Sequence, residues 1–185
     1  MLIINDISFA GRSEIIWEKG TNRSAFFRGE IDKYNWVDTG SSYLPSEIIA
    51  AFLYAQLEYL EEIQARRTKL WNLYFERLKM HEKKGNTRMP YIPDYATNNA
   101  HIFYILLPDL KTRTALINHL KKYGILSVFH YLSLHKSPYF TEKHDGRELP
   151  NSDKYSDTLL RLPLFFELQD SQVMKICDRI DEFFK

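Results

Sequence analysis

Residues Lys19 to Glu58 read KGTNRSAFFRGEIDKYNWVDTGSSYLPSEIIAAFLYAQLE, and the reading of this stretch decides the fold. Gly20, Thr21, Asn22 and Arg23 make a donor-rich turn, and Arg28 and Lys33 bracket Phe26, Phe27, Tyr34 and Trp36. Such a mixture suits neither a core nor a linker; it reads as a surface able to hold an anion and to stack on a ring. Gly40, Ser41 and Ser42 lead through Tyr43 and Leu44 to Pro45, whose fixed φ suits a first helical turn. Ser46 and Glu47 then complement the free amides and the positive end of that helix.

Working outward, residues 2–4 read as a strand and Ser8 to Lys19 as a helix with Ile15 and Ile16 on its buried side, closed by Gly20. Residues 21–44 read mostly as a loop, too aromatic for disorder and long enough to be functional. Beyond Pro45, Ile48, Ile49, Phe52, Leu53, Gln56, Leu57 and Leu60 recur at helical spacing, with Ala50, Ala51 and Ala55 allowing close approach. A second helix, Ile63 to Lys83, carries Leu70, Trp71, Tyr74, Phe75 and Leu78 and ends at Gly85. Composition changes at Asn86. HIFYILLP and Ile125 to Phe129 read as strands, Thr112 to Tyr123 as a helix, RLPLFF as a third strand and Ser171 to Phe184 as a closing helix. The expected organisation is residues 1–44 as a large-domain remnant with an active-site loop, 45–85 as bridging helices and 86–185 as a small α+β lobe. Its sheet should carry helices on one face.

With 185 residues, 44% hydrophobic and 15% aromatic, the chain can build a sizeable core. Lys and Arg number 25 against 24 acids, a formal net charge of +1 that gives no field for nucleic acid or an anionic membrane. Neither is expected as a partner. The single cysteine, Cys177, sits in the apolar-periodic VMKICDRI and reads as a core thiol. The apolar run Leu2 to Ile4 is too short for a signal or a span, so a cytoplasmic location is expected. In FHYLSLHKSPYF, His130 and His135 are five apart. They could contact a substrate, titrate near neutrality or simply bond to backbone. Metal is the weakest reading, because no carboxylate or thiol cluster lies nearby in sequence.

The strings GTNRSAFFRGEIDKYNW and GSSYLPSE resemble the pyridoxal-phosphate sugar aminotransferases of the DegT/DnrJ/EryC1/StrS family. They are most similar to its branch that aminates dTDP-4-keto-6-deoxyglucose to dTDP-4-amino-4,6-dideoxygalactose. The resemblance covers nearly the whole chain but only the C-terminal half of such an enzyme. It implies an α/β fold, the C-terminal part of a fold-type I PLP-dependent transferase, with bridging helices before a small α+β lobe. The family's HYxPLHxxP segment, which borders the sugar-nucleotide pocket, matches at His130, Tyr131, Leu134, His135 and Pro138, with Ser133 where proline is commoner. His130, Tyr131 and His135 thereby become candidate substrate contacts.

The family's Gly-Tyr-Asn-Tyr-Arg element falls on Gly40 to Leu44. Ser42 stands where an asparagine reaches the cofactor phosphate of the other subunit, and a serine hydroxyl can still donate there. Leu44 replaces the arginine, so Asn22, Arg23 and Arg28 become candidates for the missing substrate contacts, arginine being suited to a phosphate fork. The Schiff-base lysine, the carboxylate on the pyridine nitrogen and the phosphate cup belong to the family's large domain. No lysine here lies in a matching context, so no residue is named as catalytic. Expected are pyridoxal phosphate in the full-length enzyme and not on this chain alone, a dTDP-sugar substrate, and a homodimer or pairing with an N-terminal large-domain half. The rival expectation is a non-catalytic sugar-nucleotide-binding or assembly module, or a family member acting on a different keto sugar.

Overall fold

In the computed structural model, residues 2–185 are described, and they divide into two compact units, 2–58 and 59–185. The second unit holds the core. Helix α4, Leu60–Lys83, buries Leu70, Trp71, Tyr74, Leu78 and His81, one stripe of a helix that turns every 3.6 residues. Glu61 and Glu62 occupy its first turn and His81 and Lys83 its last, each matching the sign of the helix dipole there. Gly85, at φ 72°, lets the chain leave the helix in a left-handed conformation.

Three short strands, β1 (Phe103–Leu106), β2 (Val128–Phe129) and β3 (Leu159–Leu162), form an antiparallel sheet in the order β1-β3-β2. Phe103 pairs with Leu162 and Ile105 with Leu160, so these four alternate side chains reach one face and are buried there. Tyr104 and Arg161 pair on the other face and are only partly buried. Against the apolar face lie α4, α5 (Leu110–Lys122, burying Leu116 and Leu120) and α7 (Asp170–Phe183, burying Val173, Ile176, Cys177 and Ile180). Tyr74 stacks on Phe103 at 4.9 Å between ring centroids and donates its hydroxyl to the Pro163 carbonyl at 3.0 Å. Polar clamps join α4 to α7: Arg77 reaches Asp178 at 2.7 Å, and His81 Nε2 lies 2.7 Å from Asp181. Burial pushes the Cys177 thiol up to about 12, as befits a core residue.

The expected strands are present but shorter or displaced. The third ends at Leu162, because Pro163 has no amide to continue a ladder. The second is confined to two residues after the positive-φ turn at Gly124. One element had no apolar signature in sequence: α6, Pro150–Thr158, is polar throughout and is marked only by proline in its first turn and by Asp153.

The first unit is built differently. Residues 2–4 form no strand. The expected helix from Ser8 begins as a 3-10 turn, Ile7–Phe9, in which Asp6 accepts from the Ser8 amide at 2.9 Å. It continues as α1, Ala10–Trp17, with Ile15 and Ile16 half-buried. The loop that follows contains a short helix, α2, Arg23–Phe27, and α3 spans Glu47–Glu58, with Tyr59 separating it from α4. Among the described residues of this unit, Glu18, Gly20 and Thr21 are buried and no large apolar side chain is. Ile48, Ile49, Phe52 and Leu53 on α3 are exposed, and a cavity of about 900 Å³ is walled largely by Leu2, Ile4, Ile16, Trp17, Tyr43 and Leu53.

Candidate active-site segments

The feature that organises the first unit is a crossing of two backbone segments. Lys19 N donates to Ser41 O at 3.0 Å, Ser41 N to Ile16 O at 3.0 Å and Tyr43 N to Trp17 O at 3.2 Å, so that Glu18 and Ser42 form an antiparallel bridge. On the other side, Val37 N donates to Gly20 O at 2.8 Å, and Thr21 bridges Trp36. Two glycines permit this closeness. A Cβ on Gly20 would lie 1.9 Å from Asp38 O, and one on Gly40 would lie 2.1 Å from Gly20 N. Gly20 also adopts φ 80°, and Lys19 beside it takes φ 63°, an uncommon conformation for a residue with a side chain. The crossing leaves the candidate cofactor contact Ser42 exposed.

The other candidates of this unit are engaged. Asn22 accepts the Asn35 amide at 2.7 Å through its side-chain oxygen, tying the two arms of the loop. Arg23 donates through Nη1 to the Glu18 carboxylate at 2.9 Å and lies over the Phe27 ring at 5.0 Å. Arg28 is held by two acids, Glu30 at 2.7 Å and Glu14 at 3.0 Å. Hydrogen bonds to Glu30, then to Glu14, raise the Arg28 pKa, and the same guanidinium lowers that of Glu30. Glu18 thus pairs with Ser42 through its backbone and with Arg23 through its side chain, while Arg28 is committed to two other carboxylates. Glu18 was not marked by sequence reading. Its signal is faint: an acid at a helix end with an arginine five residues on, whose meaning depends on the pairing with residue 42.

In the second unit, β2 leads into the segment from His130 to His135. A cavity of about 260 Å³ is lined by His130, Tyr131, Ser133, Ser152, Tyr155 and Leu159, together with neighbouring leucines and Ser156. The Ser133 and Ser152 hydroxyls are 3.3 Å apart at this wall. His130 Nδ1 is buried without a hydrogen-bond partner among the described residues, and Tyr131 packs edge-on against the His130 ring. No lysine or arginine lines the cavity, so its chemistry suits an uncharged, hydroxyl- or carbonyl-bearing ring better than a phosphate.

His135 is not among the residues that line this cavity. Its Nε2 lies 3.2 Å from Asp153, and its ring is 5.3 Å from that of His144, while Lys136 reaches the same carboxylate at 2.7 Å. The hydrogen bond from Lys136 holds the Asp153 carboxyl below its ordinary pKa. Ser152, Tyr155 and Ser156 escaped sequence reading because they lie on α6, which the apolar pattern did not reveal. Among the described residues, no group of three or more His, Cys, Asp or Glu is arranged to hold a metal, and no helix is long and apolar enough to cross a membrane.

A short antiparallel sheet beneath helices, preceded by long helices and a glycine-braced loop, is the C-terminal part of the fold of PLP-dependent aminotransferases. Residues 1–181 match the DegT/DnrJ/EryC1/StrS aminotransferase family, and the chain belongs to it. Among solved structures it is similar to a DegT DnrJ EryC1 StrS aminotransferase from Brucella abortus, at 26% identity and TM-score 0.78, covering 98% of this chain and 45% of that one. It is also similar to DesV from S. venezuelae in complex with a ketimine intermediate, at 22% identity and TM-score 0.83, covering 98% and 45%. PseC from Helicobacter pylori, an aminotransferase of pseudaminic acid biosynthesis, matches at 18% identity and TM-score 0.81, covering 97% and 47%. The chain therefore spans about half the length of the structures it matches. Members of this family are PLP-dependent.

Proposed function

We propose that this chain is the C-terminal portion of a cytoplasmic PLP-dependent aminotransferase that aminates C4 of a dTDP-4-keto-6-deoxyhexose, with glutamate as donor, for surface-polysaccharide sugar synthesis. One observation carries the reading of a portion. The first unit exposes Ile48, Ile49, Phe52 and Leu53 and buries no large apolar side chain among its described residues. An apolar face of that extent calls for a cover, and a large-domain half together with a second subunit would provide one. The substrate class rests on the resemblance of GTNRSAFFRGEIDKYNW and GSSYLPSE to the branch that handles this sugar.

The residue that fits one end of the cofactor, its phosphate, is Ser42, which offers an exposed hydroxyl at the crossing opposite Glu18, the partner of Arg23. Bound in the complete enzyme, PLP supplies the electron sink and the amino-group carrier of transamination. The proposed contribution of this chain is to grip and orient. Ser42 donates to the phosphate, the cavity beside His130 and Tyr131 receives an uncharged ring of the sugar nucleotide, and the Ser133 and Ser152 hydroxyls orient that ring. His135, paired with Asp153, braces the cavity's loop. The proton-shuttling lysine comes from outside these residues, so the chain alone is inactive.

The test is to read the DNA upstream of the Met1 codon, co-express any large-domain reading frame found there, and assay glutamate-dependent amination of the dTDP-keto sugar. The pair should turn over and the single chain should not. Turnover by the single chain, or a pair that binds PLP but ignores this substrate, overturns the proposal.

A further inference from the structure

We propose that Glu18 is a positioning residue: its carboxylate fixes the Arg23 guanidinium on the face of the loop crossing that carries the Ser42 hydroxyl, and Arg23 and Ser42 together cradle a phosphate monoester. This rests on the reading of Ser42 as a cofactor-phosphate contact.

The backbone sets the geometry. The bonds Lys19 N to Ser41 O and Tyr43 N to Trp17 O flank the bridge, which makes Glu18 and Ser42 a non-hydrogen-bonded antiparallel pair. Side chains of such a pair share a face, with Cα atoms about 4.5 Å apart. Glu18 therefore stands beside Ser42, and its side chain is only 10% exposed. A bare carboxylate there would be costly to bury and would repel a phosphate. Arg23 removes both difficulties by donating Nη1 to Glu18 at 2.9 Å.

Arg23 is also the suited cation. Arg28 spends its donors on Glu14 and Glu30, and Arg12 lies 3.2 Å from Asp38. Arg23 uses one nitrogen on one carboxylate, keeps a side chain 41% exposed, and is steadied by the rings of Phe27 and Tyr34 at 5.0 and 5.9 Å. Its Nε is buried without a partner among the described residues, so the donors it retains for a second acceptor are on the two terminal nitrogens. Leu44 stands where the resemblance places an arginine, so a guanidinium donor at the crossing has to come from another residue, here Arg23.

Glu18 acts through its hydrogen bond, while its charge opposes the bound anion. That separates two substitutions. Glu18→Gln keeps an acceptor for Arg23 and removes the charge; Glu18→Ala releases the guanidinium. The full chain is titrated with inorganic phosphate while NMR follows the Ser42 amide and Arg23 Nε, with hydrogen exchange of the Ser41 and Tyr43 amides as a check on the crossing. Both signals should shift saturably in the parent chain. Ser42→Ala, Arg23→Lys and Glu18→Ala should weaken binding about tenfold, the scale of one charge-assisted hydrogen bond, and Glu18→Gln should bind at least as tightly as the parent. Parent-like binding by Glu18→Ala overturns the positioning role, and so does a Glu18→Gln loss as large as that of Arg23→Lys while the two amides stay protected. If Glu18→Ala does not fold, Glu18→Gln and Arg23→Lys decide. Absence of any phosphate response at Ser42 and Arg23 overturns the cradle, whereas amination by the complemented pair would still uphold the proposed function, so the two fail separately.

Discussion

A Gly40→Ala substitution should open the crossing that presents Ser42 while leaving the sheet-bearing unit folded. The added Cβ would lie 2.1 Å from Gly20 N, 2.7 Å from Ile16 O and 2.8 Å from Gly20 Cα. All three are backbone atoms, so no rotamer change can make room and the two segments must part. Three hydrogen bonds hold them there, from the amides of Lys19, Ser41 and Tyr43. At about 0.5–1.5 kcal/mol net for each, their loss amounts to roughly 2–4 kcal/mol of local stability. Hydrogen exchange at those amides should therefore speed up roughly 30- to 1,000-fold. Amides of β3 should be unaffected, since Leu160 and Leu162 belong to a core assembled wholly from the second unit. Gly11→Ala is the control: its Cβ meets nothing within 4 Å and it sits in α1, where alanine is favoured by about 0.5–1 kcal/mol. Unchanged protection of Ser41 and Tyr43 in Gly40→Ala would refute the view that the glycines exist to let the segments touch.

Leu160→Ala, at a fully buried position of the central strand, should lower the stability of the second unit by about 2–5 kcal/mol in urea denaturation, with an unchanged slope. Cys177, its thiol pushed up to about 12 by burial, should resist thiol reagents at pH 8 in the native state and react on unfolding; rapid native labelling would contradict its place in the core. Hydrogen bonds from Lys69, then Arg66, hold the Asp170 carboxyl below its ordinary value. A depressed folded-state pKa contributes stability that is complete above the unfolded value, about pH 4, and is lost as pH falls through the folded one. Asp170→Asn should thus flatten the acid limb of a urea-midpoint profile below about pH 4, and a parallel profile would show that the contacts contribute nothing.

What was legible in the chain followed from local rules. Leu70, Trp71, Tyr74 and Leu78 announce their helix because a 3.6-residue period brings them to one stripe, and Gly85 announces its end. Helix α6 was not legible, since a short polar helix has no apolar period and is held by its neighbours. The loop reads as rich in arginine, but the partners of those arginines were not legible: Glu14 is 14 residues from Arg28, and no spacing rule connects them. The sequence by itself determined the family and the main helices and strands of the second unit, which local apolar periods mark. Only the tertiary structure decided which carboxylate each loop arginine meets, because that depends on the chain path through the crossing at Gly20 and Gly40 and not on spacing along the sequence.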